Sequence, residues 1–219
     1  MKVIKRTLAV LLSACMLFAM ASCSSKDSYY KKAGAAWAID AYKALPEEFN
    51  EDTCNQFWFA GDVFEFPMKA DEFFDKGWEI VDVYQEDVDE NYPLDPLSVY
   101  ELCLNKDGAG MMVWIYNDSA EPKPVKECLV VYLRIGHHEE ALLPGGALLD
   151  TYYKTLDEIL AAFNKDMTEL DKEDCVYGYQ FDAEGFDNCS VRFDISDSPQ
   201  GYYVANVAYY VFDPADLPE

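Results

Sequence analysis

His137 and His138 are the only histidines of the chain, and they are adjacent. Histidine is a common general base and metal ligand. On an extended segment, neighbouring side chains point to opposite faces, so this pair cannot act as two ligands or as a base with its orienting partner. The pair follows a predicted strand and precedes Glu139-Glu140. We therefore predict an exposed loop end at these residues.

Recognised catalytic motifs do not accompany the histidines. The sequence contains no Gly-x-Ser-x-Gly elbow, no phosphate-binding glycine loop and no His-Glu-x-x-His. Carboxylate pairs are so numerous that none stands out as an acid and base couple. We predict no catalytic residue and a protein that is not an enzyme.

One acidic segment resembles a calcium-binding loop in its spacing. Four oxygen-bearing residues fall at positions 1, 3, 5 and 9 of such a loop: Asp87, Asp89, Asn91 and Asp95. Tyr92 stands where the sharp turn needs glycine, and Ser98 replaces the bidentate glutamate. We predict a solvated acidic loop here, and no metal or other cofactor.

The cysteines leave the disulfide pattern open. Five of them follow Cys23: Cys54, Cys103, Cys128, Cys175 and Cys189. An odd number leaves at least one thiol in a monomer. In a simple hairpin turning near Ala183–Phe186, Cys175 and Cys189 are about six residues out of register, or ~20 Å, beyond the ~7 Å that a disulfide spans. A bridge between Cys103 and Cys128 requires their strands to be neighbours. No cysteine pattern suggests a zinc site.

The N-terminus has the features of an export signal. Lys2, Lys5 and Arg6 precede the uncharged, mostly apolar residues 7–21. This run suits the core of a signal peptide and is shorter than the ~20 residues that span a bilayer.

The run ends in Met20-Ala21-Ser22-Cys23, which resembles the lipobox of bacterial lipoproteins. That resemblance implies acylation of the Cys23 thiol, cleavage before it, and a membrane partner. Polar residues 24–28 would form a spacer behind Cys23. Two alternatives remain: a second lipobox-like run ends at Cys15, and an ordinary secretory signal would be cleaved near Ala21. We predict lipid attachment at Cys23, because the polar residues behind it suit a spacer, and two or more acyl chains would make the anchor stable. The predicted location is the outer face of the cytoplasmic membrane.

Without residues 1–22, the chain carries 14 Lys and Arg against 41 Asp and Glu, a net charge of −27. Such a charge repels nucleic acid, which proteins bind by neutralising phosphates. It also disfavours anionic lipid and phosphate-rich wall polymers. A composition that is 51% hydrophobic supports a folded domain. We predict a monomer.

Periodicity and turn residues predict an α+β fold, with short helices each followed by an antiparallel meander. Helices are predicted at Tyr29–Leu45, Lys69–Lys76 and Thr155–Asn164, and a hairpin at Phe57–Phe66. Strands are predicted at Trp78–Tyr84, Ser98–Asn105, Met111–Asn117, Glu127–Ile135, Cys175–Phe181, Cys189–Ile195 and Tyr202–Phe212. The chain divides into a signal (1–22), a tether with a short helix (23–56) and two halves (57–136 and 143–214).

Two resemblances accompany this pattern. Phe64-Glu65-Phe66-Pro67, followed by a short helix and Gly77-Trp78, resembles small secreted lipoproteins of Gram-positive bacteria. Leu143-Pro144-Gly145-Gly146 with the following helix and three strands is similar to the α+β unit of β-lactamase-inhibitor-like proteins. That unit ends its helix in a Gly-x-Pro turn, where this chain has Phe163-Asn164-Lys165-Asp166. The resemblance implies a fold, and a fold does not carry a function.

Aromatic residues suggest one alternative function. Trp58, Trp78, Trp114 and several tyrosines are candidates for a glycan-binding platform, although alternating strand positions favour core packing. We predict a membrane-tethered, noncatalytic binding or interaction module. The alternatives are a glycan or wall-ligand binder and a carboxylate-dependent hydrolase.

Overall fold

The computed structural model describes residues 37–81, 88–136, 139, 141–146, 152–163, 168–171 and 176–211. Its helices are α1 (Trp37–Ala44), α2 (Asp71–Asp75) and α3 (Leu156–Phe163), with 3-10 turns at Val125–Glu127 and Pro144–Gly146. The predicted signal, Cys23, His137, His138, Asp87 and Cys175 lie outside the described residues.

Strands make up most of the described chain. In the first half they are β1 (Gln56–Phe59), β2 (Asp62–Glu65), β3 (Met68–Lys69), β4 (Glu79–Ile80), β5 (Pro93–Leu94), β6 (Val99–Lys106), β7 (Ala109–Tyr116), β8 (Lys123–Pro124) and β9 (Leu129–Gly136). They continue with β10 (Ala141–Leu142), β11 (Thr168–Asp171), β12 (Val176–Ala183), β13 (Phe186–Ser198) and β14 (Gly201–Tyr210). The predicted antiparallel strands are confirmed, and the described chain is a β-rich fold with few, short helices.

Nine of these strands form the central sheet, in the order β11-β12-β13-β14-β9-β7-β6-β4, with β3 pairing to the start of β9. Neighbouring strands of this sheet run antiparallel. The pairing of β14 with β9 joins strands of the two predicted halves in one sheet. A smaller sheet, β10-β1-β2, lies beside it, and β5 pairs with β8.

Two of the two-residue hairpin turns have the same backbone conformation. Lys106 pairs with Ala109 across Asp107-Gly108, and Phe59 pairs with Asp62 across Ala60-Gly61. The central residues of both turns have positive φ, 54° and 92° in the first turn and 47° and 92° in the second. This is the turn whose twist matches that of the flanking strands, and glycine adopts it without a steric cost.

Helix α2 corrects one prediction. Lys69 and its neighbour Met68 pair with β9, so the helix begins at Asp71 and not at Lys69. Sheet pairing prevails because it buries the Met68 side chain. The predicted end is confirmed: the Gly77 N–H donates to the Phe74 carbonyl (2.9 Å) and the Trp78 N–H donates to the Phe73 carbonyl (3.1 Å). These two bonds form a Schellman motif, with Gly77 at φ 83°.

A capping box holds the start of α3. The Glu158 N–H donates to Thr155 Oγ1 (3.2 Å), and Glu158 Oε2 accepts from the Lys154 N–H (2.8 Å). The glutamate thus reaches one residue further back than in the usual box. Ile159, one turn into the helix, is fully buried.

The main core lies between one face of the central sheet and the elements that cover it. Phe57 from β1 and Phe66 both pack against Tyr209 of β14, with ring centroids 5.0 and 5.5 Å apart. Phe49 meets Phe193 of β13 edge to face at 5.5 Å. Helices α2 and α3, the β1–β2 hairpin and the loop carrying Phe49 therefore cover this face, which we call the buried face.

The sheet order answers the question of disulfide pairing for the cysteines that the structure describes. Strands β6 and β9 are separated by β7, so Cys103 and Cys128 are not on neighbouring strands. Cys189 lies opposite Phe181 in the predicted hairpin. None of the four cysteines among the described residues forms a disulfide.

None of the helices in the described ranges is long and apolar enough to cross a membrane.

Candidate ligand-binding site

The other side of the central sheet, which we call the open face, carries the side chains that alternate with the core. It runs across β6, β7, β9, β14 and β13 and comprises Glu101, Cys103, Met112, Trp114, Tyr132, Arg134, Ala208, Tyr210, Ser190 and Arg192. Glu101 and Arg134 are exposed, and Trp114 and Tyr210 are half-buried. A mixed polar and aromatic face opposite an apolar one is typical of an antiparallel sheet with one solvated side.

Three aromatic rings pack in tilted pairs across three neighbouring strands of this face, and we call this row of rings the stack. The Tyr132 ring lies 4.7 Å from Trp114 and 4.9 Å from Tyr210, centroid to centroid. Arg192 Cζ lies 4.5 Å from the Tyr210 ring centroid. Such contacts add to the stability of a sheet beyond the area that they bury. The stack therefore occupies ring faces that a platform for sugars would have to expose.

The polar ends of the stack are also satisfied. Trp114 Nε1 donates to Glu101 Oε2 at 3.0 Å. Burial raises the pKa of Tyr132 and of Tyr210. A hydrogen bond between the two hydroxyls raises the pKa of Tyr132 further and lowers that of Tyr210, as expected when Tyr132 donates.

Both arginines of the chain outside the predicted signal lie on the open face. Arg134 and Arg192 flank Ala208 in one row across β9, β14 and β13. Arg192 packs on Tyr210 and donates through Nε to Ser190 Oγ at 3.3 Å. Arg134 is exposed and forms no salt bridge with any residue that the structure describes. Its guanidinium is therefore the cation of this face that a ligand can reach.

A cavity of about 490 Å³ opens beside Arg134, and we call it the sheet cavity. Its polar lining consists of Arg134, Glu139, Asn105 and Asn206, and Met112 contributes an apolar wall. The volume lies within the ~300–1,000 Å³ of small-molecule sites. A few polar groups beside apolar surface are what orient a small ligand.

A second cavity of about 500 Å³, the hairpin cavity, lies between the two hairpin turns. Trp58, Lys106, Asp107 and Glu139 line it, so Glu139 belongs to both cavities. Lys106 Nζ is held by Asp62 Oδ2 at 2.6 Å, and both side chains are about 80% buried. The same carboxylate oxygen accepts from Trp78 Nε1 at 3.3 Å. Asp62 thus neutralises Lys106 and leaves little cationic character in the hairpin cavity.

The candidate residues that the sequence named are distributed over the molecule. Trp78 is buried at 2% exposure and packs against Phe59, so it belongs to the core. Trp58 lines the hairpin cavity and Trp114 belongs to the stack. The three tryptophans therefore do not form one platform.

The calcium-like segment is described from residue 88 onward. Asp89 Oδ1 accepts from the Asn91 N–H at 2.8 Å, which forms a local turn. Leu94 is fully buried in β5, and Ser98 Oγ donates to the Asp95 carbonyl at 2.6 Å. Asp87 lies outside the described residues. Within those residues, no group of three or more His, Cys, Asp or Glu side chains could hold a metal.

The sequence did not single out Arg134, Asn105, Asn206 or the shared role of Glu139. One signal was available: an exposed arginine at an alternating position of β9, in a chain with three arginines. The cavity itself depends on the register between β9, β14 and β7, which local patterns do not encode.

No protein-family model matches the chain, and no curated protein and no solved structure shows significant similarity to it. Its function is therefore argued from the chemistry of these cavities.

Proposed function

We propose that the protein is a noncatalytic binding module, anchored by lipid at Cys23 to the outer face of the cytoplasmic membrane, and that a small ligand occupies the sheet cavity. The proposed location is supported by the basic N-terminus, the apolar run and Met20-Ala21-Ser22-Cys23. The charge of −27 in the exported part supports a monomer that avoids nucleic acid.

The observation that carries the binding proposal is the exposed Arg134 beside a cavity of about 490 Å³. In a chain with 41 acidic residues, a guanidinium with no ion-pair partner in the described part is unusual. Arginine presents a planar set of donors suited to carboxylate or phosphate groups.

The anchor is tested by mass spectrometry of the protein purified from membranes. We expect an acylated N-terminus at Cys23, and we expect Cys23→Ala to be neither acylated nor cut at that position. An unmodified N-terminus that begins at another residue would refute the anchor.

The binding site is tested with a blocking variant, Gly110→Leu. A Cβ at Gly110 meets only Glu139 Oε1 at 3.8 Å and the Leu104 carbonyl at 3.9 Å, so the backbone tolerates the change while the side chain fills the cavity. Ser196→Leu, on β13 and outside both cavity linings, is the matched control.

The full chain in detergent is screened by thermal shift against amino acids, peptides, glycans and peptidoglycan fragments. We expect a ligand that stabilises the wild type and Ser196→Leu, but not Gly110→Leu, by mass action. Turnover of a substrate that disappears when a single Asp or Glu becomes its amide would instead favour the hydrolase alternative.

Glycan binding is the second candidate, favoured by Trp58 in the hairpin cavity. A half-buried indole beside the acceptors Asp107 and Glu139 suits the apolar face and hydroxyl groups of a sugar. A glycan whose binding is lost in Trp58→Ala and kept in Gly110→Leu would favour it.

The α+β architecture with two related halves is also a proposal. It is supported by α3, which precedes three strands that are neighbours in the sheet, β12, β13 and β14. In the first half, α2 likewise precedes β4, β6 and β7.

A further inference from the structure

Two opposite charges line the sheet cavity without neutralising each other. Arg134 and Glu139 both contribute to its wall, and neither forms a salt bridge with a described residue. Four lysines of the described chain, by contrast, have acidic partners within 4 Å: Lys43, Lys106, Lys123 and Lys126. The cavity thus presents one fixed cation and one fixed anion to the same occupant.

We infer that the occupant is a zwitterion, namely a short peptide with unblocked ends. Its carboxylate would bind the Arg134 guanidinium and its ammonium group would bind the Glu139 carboxylate. This inference rests on the proposed function and names the ligand class of that same cavity.

Charge complementarity favours a zwitterionic ligand over a polyanion or a neutral sugar. A polyanion would meet Glu139 and the acidic surface around it, and a neutral sugar would leave both charges of the cavity unpaired. A zwitterion satisfies both, and the arginine can hold a carboxylate through two parallel hydrogen bonds. Ligands that match both charges gain specificity, because a wrong partner leaves a charge without compensation.

The two asparagines of the cavity suit the peptide bond of such a ligand. Asn206 Nδ2 donates to Asp194 Oδ2 at 3.2 Å, and Asn105 Oδ1 accepts from the Gly108 N–H at 3.4 Å. The remaining amide atoms are a carbonyl acceptor on Asn206 and an amine donor on Asn105. A peptide bond needs one acceptor and one donor of this kind.

The test uses the full chain in detergent and twenty Gly-Xaa dipeptides at millimolar concentration, one for each Xaa. The same dipeptides with an acetylated N-terminus, and with an amidated C-terminus, are measured at equal ionic strength. Thermal shift detects binding and calorimetry measures the dissociation constant. Arg134→Gln and Glu139→Gln remove one charge each, and Lys69→Gln, an exposed cation outside the cavity, is the control.

We expect at least one free dipeptide to raise the melting temperature of the wild type and of Lys69→Gln. Blocking either end, or changing Arg134 or Glu139, should weaken its binding about tenfold or more, as for a lost charge-assisted hydrogen bond. Unliganded melting temperatures and circular dichroism establish that each variant is folded.

Three results would overturn the inference: no shift with any free dipeptide, equal shifts with blocked and free forms, or shifts that both charge variants retain. A glycan that binds the wild type and is excluded by Gly110→Leu would refute the zwitterion and leave the proposed function standing. Failure of every compound in the screen would refute both.

Discussion

The two faces of the central sheet are made by alternating residues of the same strands, yet they reach their packing in different ways. On the buried face, Phe193 and Tyr209 pack against aromatic rings from outside the sheet, such as those of Phe49, Phe57 and Phe66. On the open face, Tyr132 packs between rings of neighbouring strands. One face therefore depends on elements outside the central sheet, and the other depends on the register of the sheet's own strands.

This difference between the two faces indicates which of them can carry a binding site. A side chain of the buried face is fixed on all sides, and its loss leaves a cavity. On the open face, rings of neighbouring strands pack against one another, and polar groups still reach solvent. Strand β9 places Arg134 beside the sheet cavity, and Glu139 follows the end of that strand, so the two charges are held near one another before a ligand binds, as a preorganised binding site requires.

The largest effect is expected on the buried face. Phe193→Ala removes a fully buried ring that meets Phe49 edge to face, and we expect it to lower the free energy of unfolding by about 3–5 kcal/mol. Urea unfolding followed by tryptophan fluorescence measures the loss. Phe186→Ala, at a half-buried position of the same strand, should cost clearly less. Equal losses of unfolding free energy in the two variants would mean that burial in the core does not determine the contribution of these phenylalanines.

A smaller effect is expected for the central ring of the open-face stack. Tyr132→Ala removes two ring contacts, each worth roughly 0.5–1.5 kcal/mol beyond burial. Tyr132 is also buried, but the neighbouring rings can relax toward solvent, so we expect a total loss of about 2–4 kcal/mol, smaller than that of Phe193→Ala and measured in the same urea experiment. A loss as large as that of Phe193→Ala would remove the distinction between the two faces.

Alkaline pH should weaken the fold through groups of both faces. Burial raises the pKa of Cys54 to about 12, and burial also raises the pKa of Tyr209 and of Tyr132. A raised pKa means that the folded state holds its proton while the unfolded chain loses it. Stability is therefore fully present below the unfolded values, ~8.5 for cysteine and ~10 for tyrosine, and is lost as pH rises through the folded values.

The midpoint of urea unfolding measured from pH 8 to pH 11.5 tests this expectation. We expect it to fall above pH 9, and to fall less steeply in Cys54→Ala when each series is referred to its own value at pH 8. A slope unchanged in Cys54→Ala would show that the thiol ionises alike in the folded and unfolded states.

Local chemistry explains which elements the sequence could predict. The Asp107-Gly108 turn, the Gly77 cap of α2 and the Thr155–Glu158 cap of α3 are each encoded within a few residues. Strand β9 was predicted for a similar reason, because its apolar and polar residues alternate.

Long-range pairing explains what could not be predicted. The two-residue strands β3, β5, β8 and β10 exist only because distant partners lie beside them. The register between β7 and β9 shifts between Trp114 and Ile115, where β9 has Val131 as an extra residue, so that both Val130 and Val131 are buried and the alternation of β9 is broken. The neighbours of Arg134 in the sheet cavity likewise depend on pairings between distant strands, which no local pattern specifies.

The smallest expected effect comes from the same substitution, tyrosine to phenylalanine, made once on each face of the central sheet. It compares the two faces directly. The Tyr209 hydroxyl is buried and has no hydrogen-bond partner among the described residues, whereas the Tyr132 hydroxyl bonds to that of Tyr210. Burying a hydroxyl without a partner costs about 1–3 kcal/mol, and a satisfied one contributes about 1 kcal/mol. We therefore expect Tyr209→Phe to raise the free energy of unfolding by up to about 1 kcal/mol and Tyr132→Phe to lower it by a similar amount, measured by urea unfolding at pH 7. If both variants lose stability equally, the Tyr209 hydroxyl has a hydrogen-bond partner in solution, and the two faces do not differ in how they satisfy a tyrosine hydroxyl.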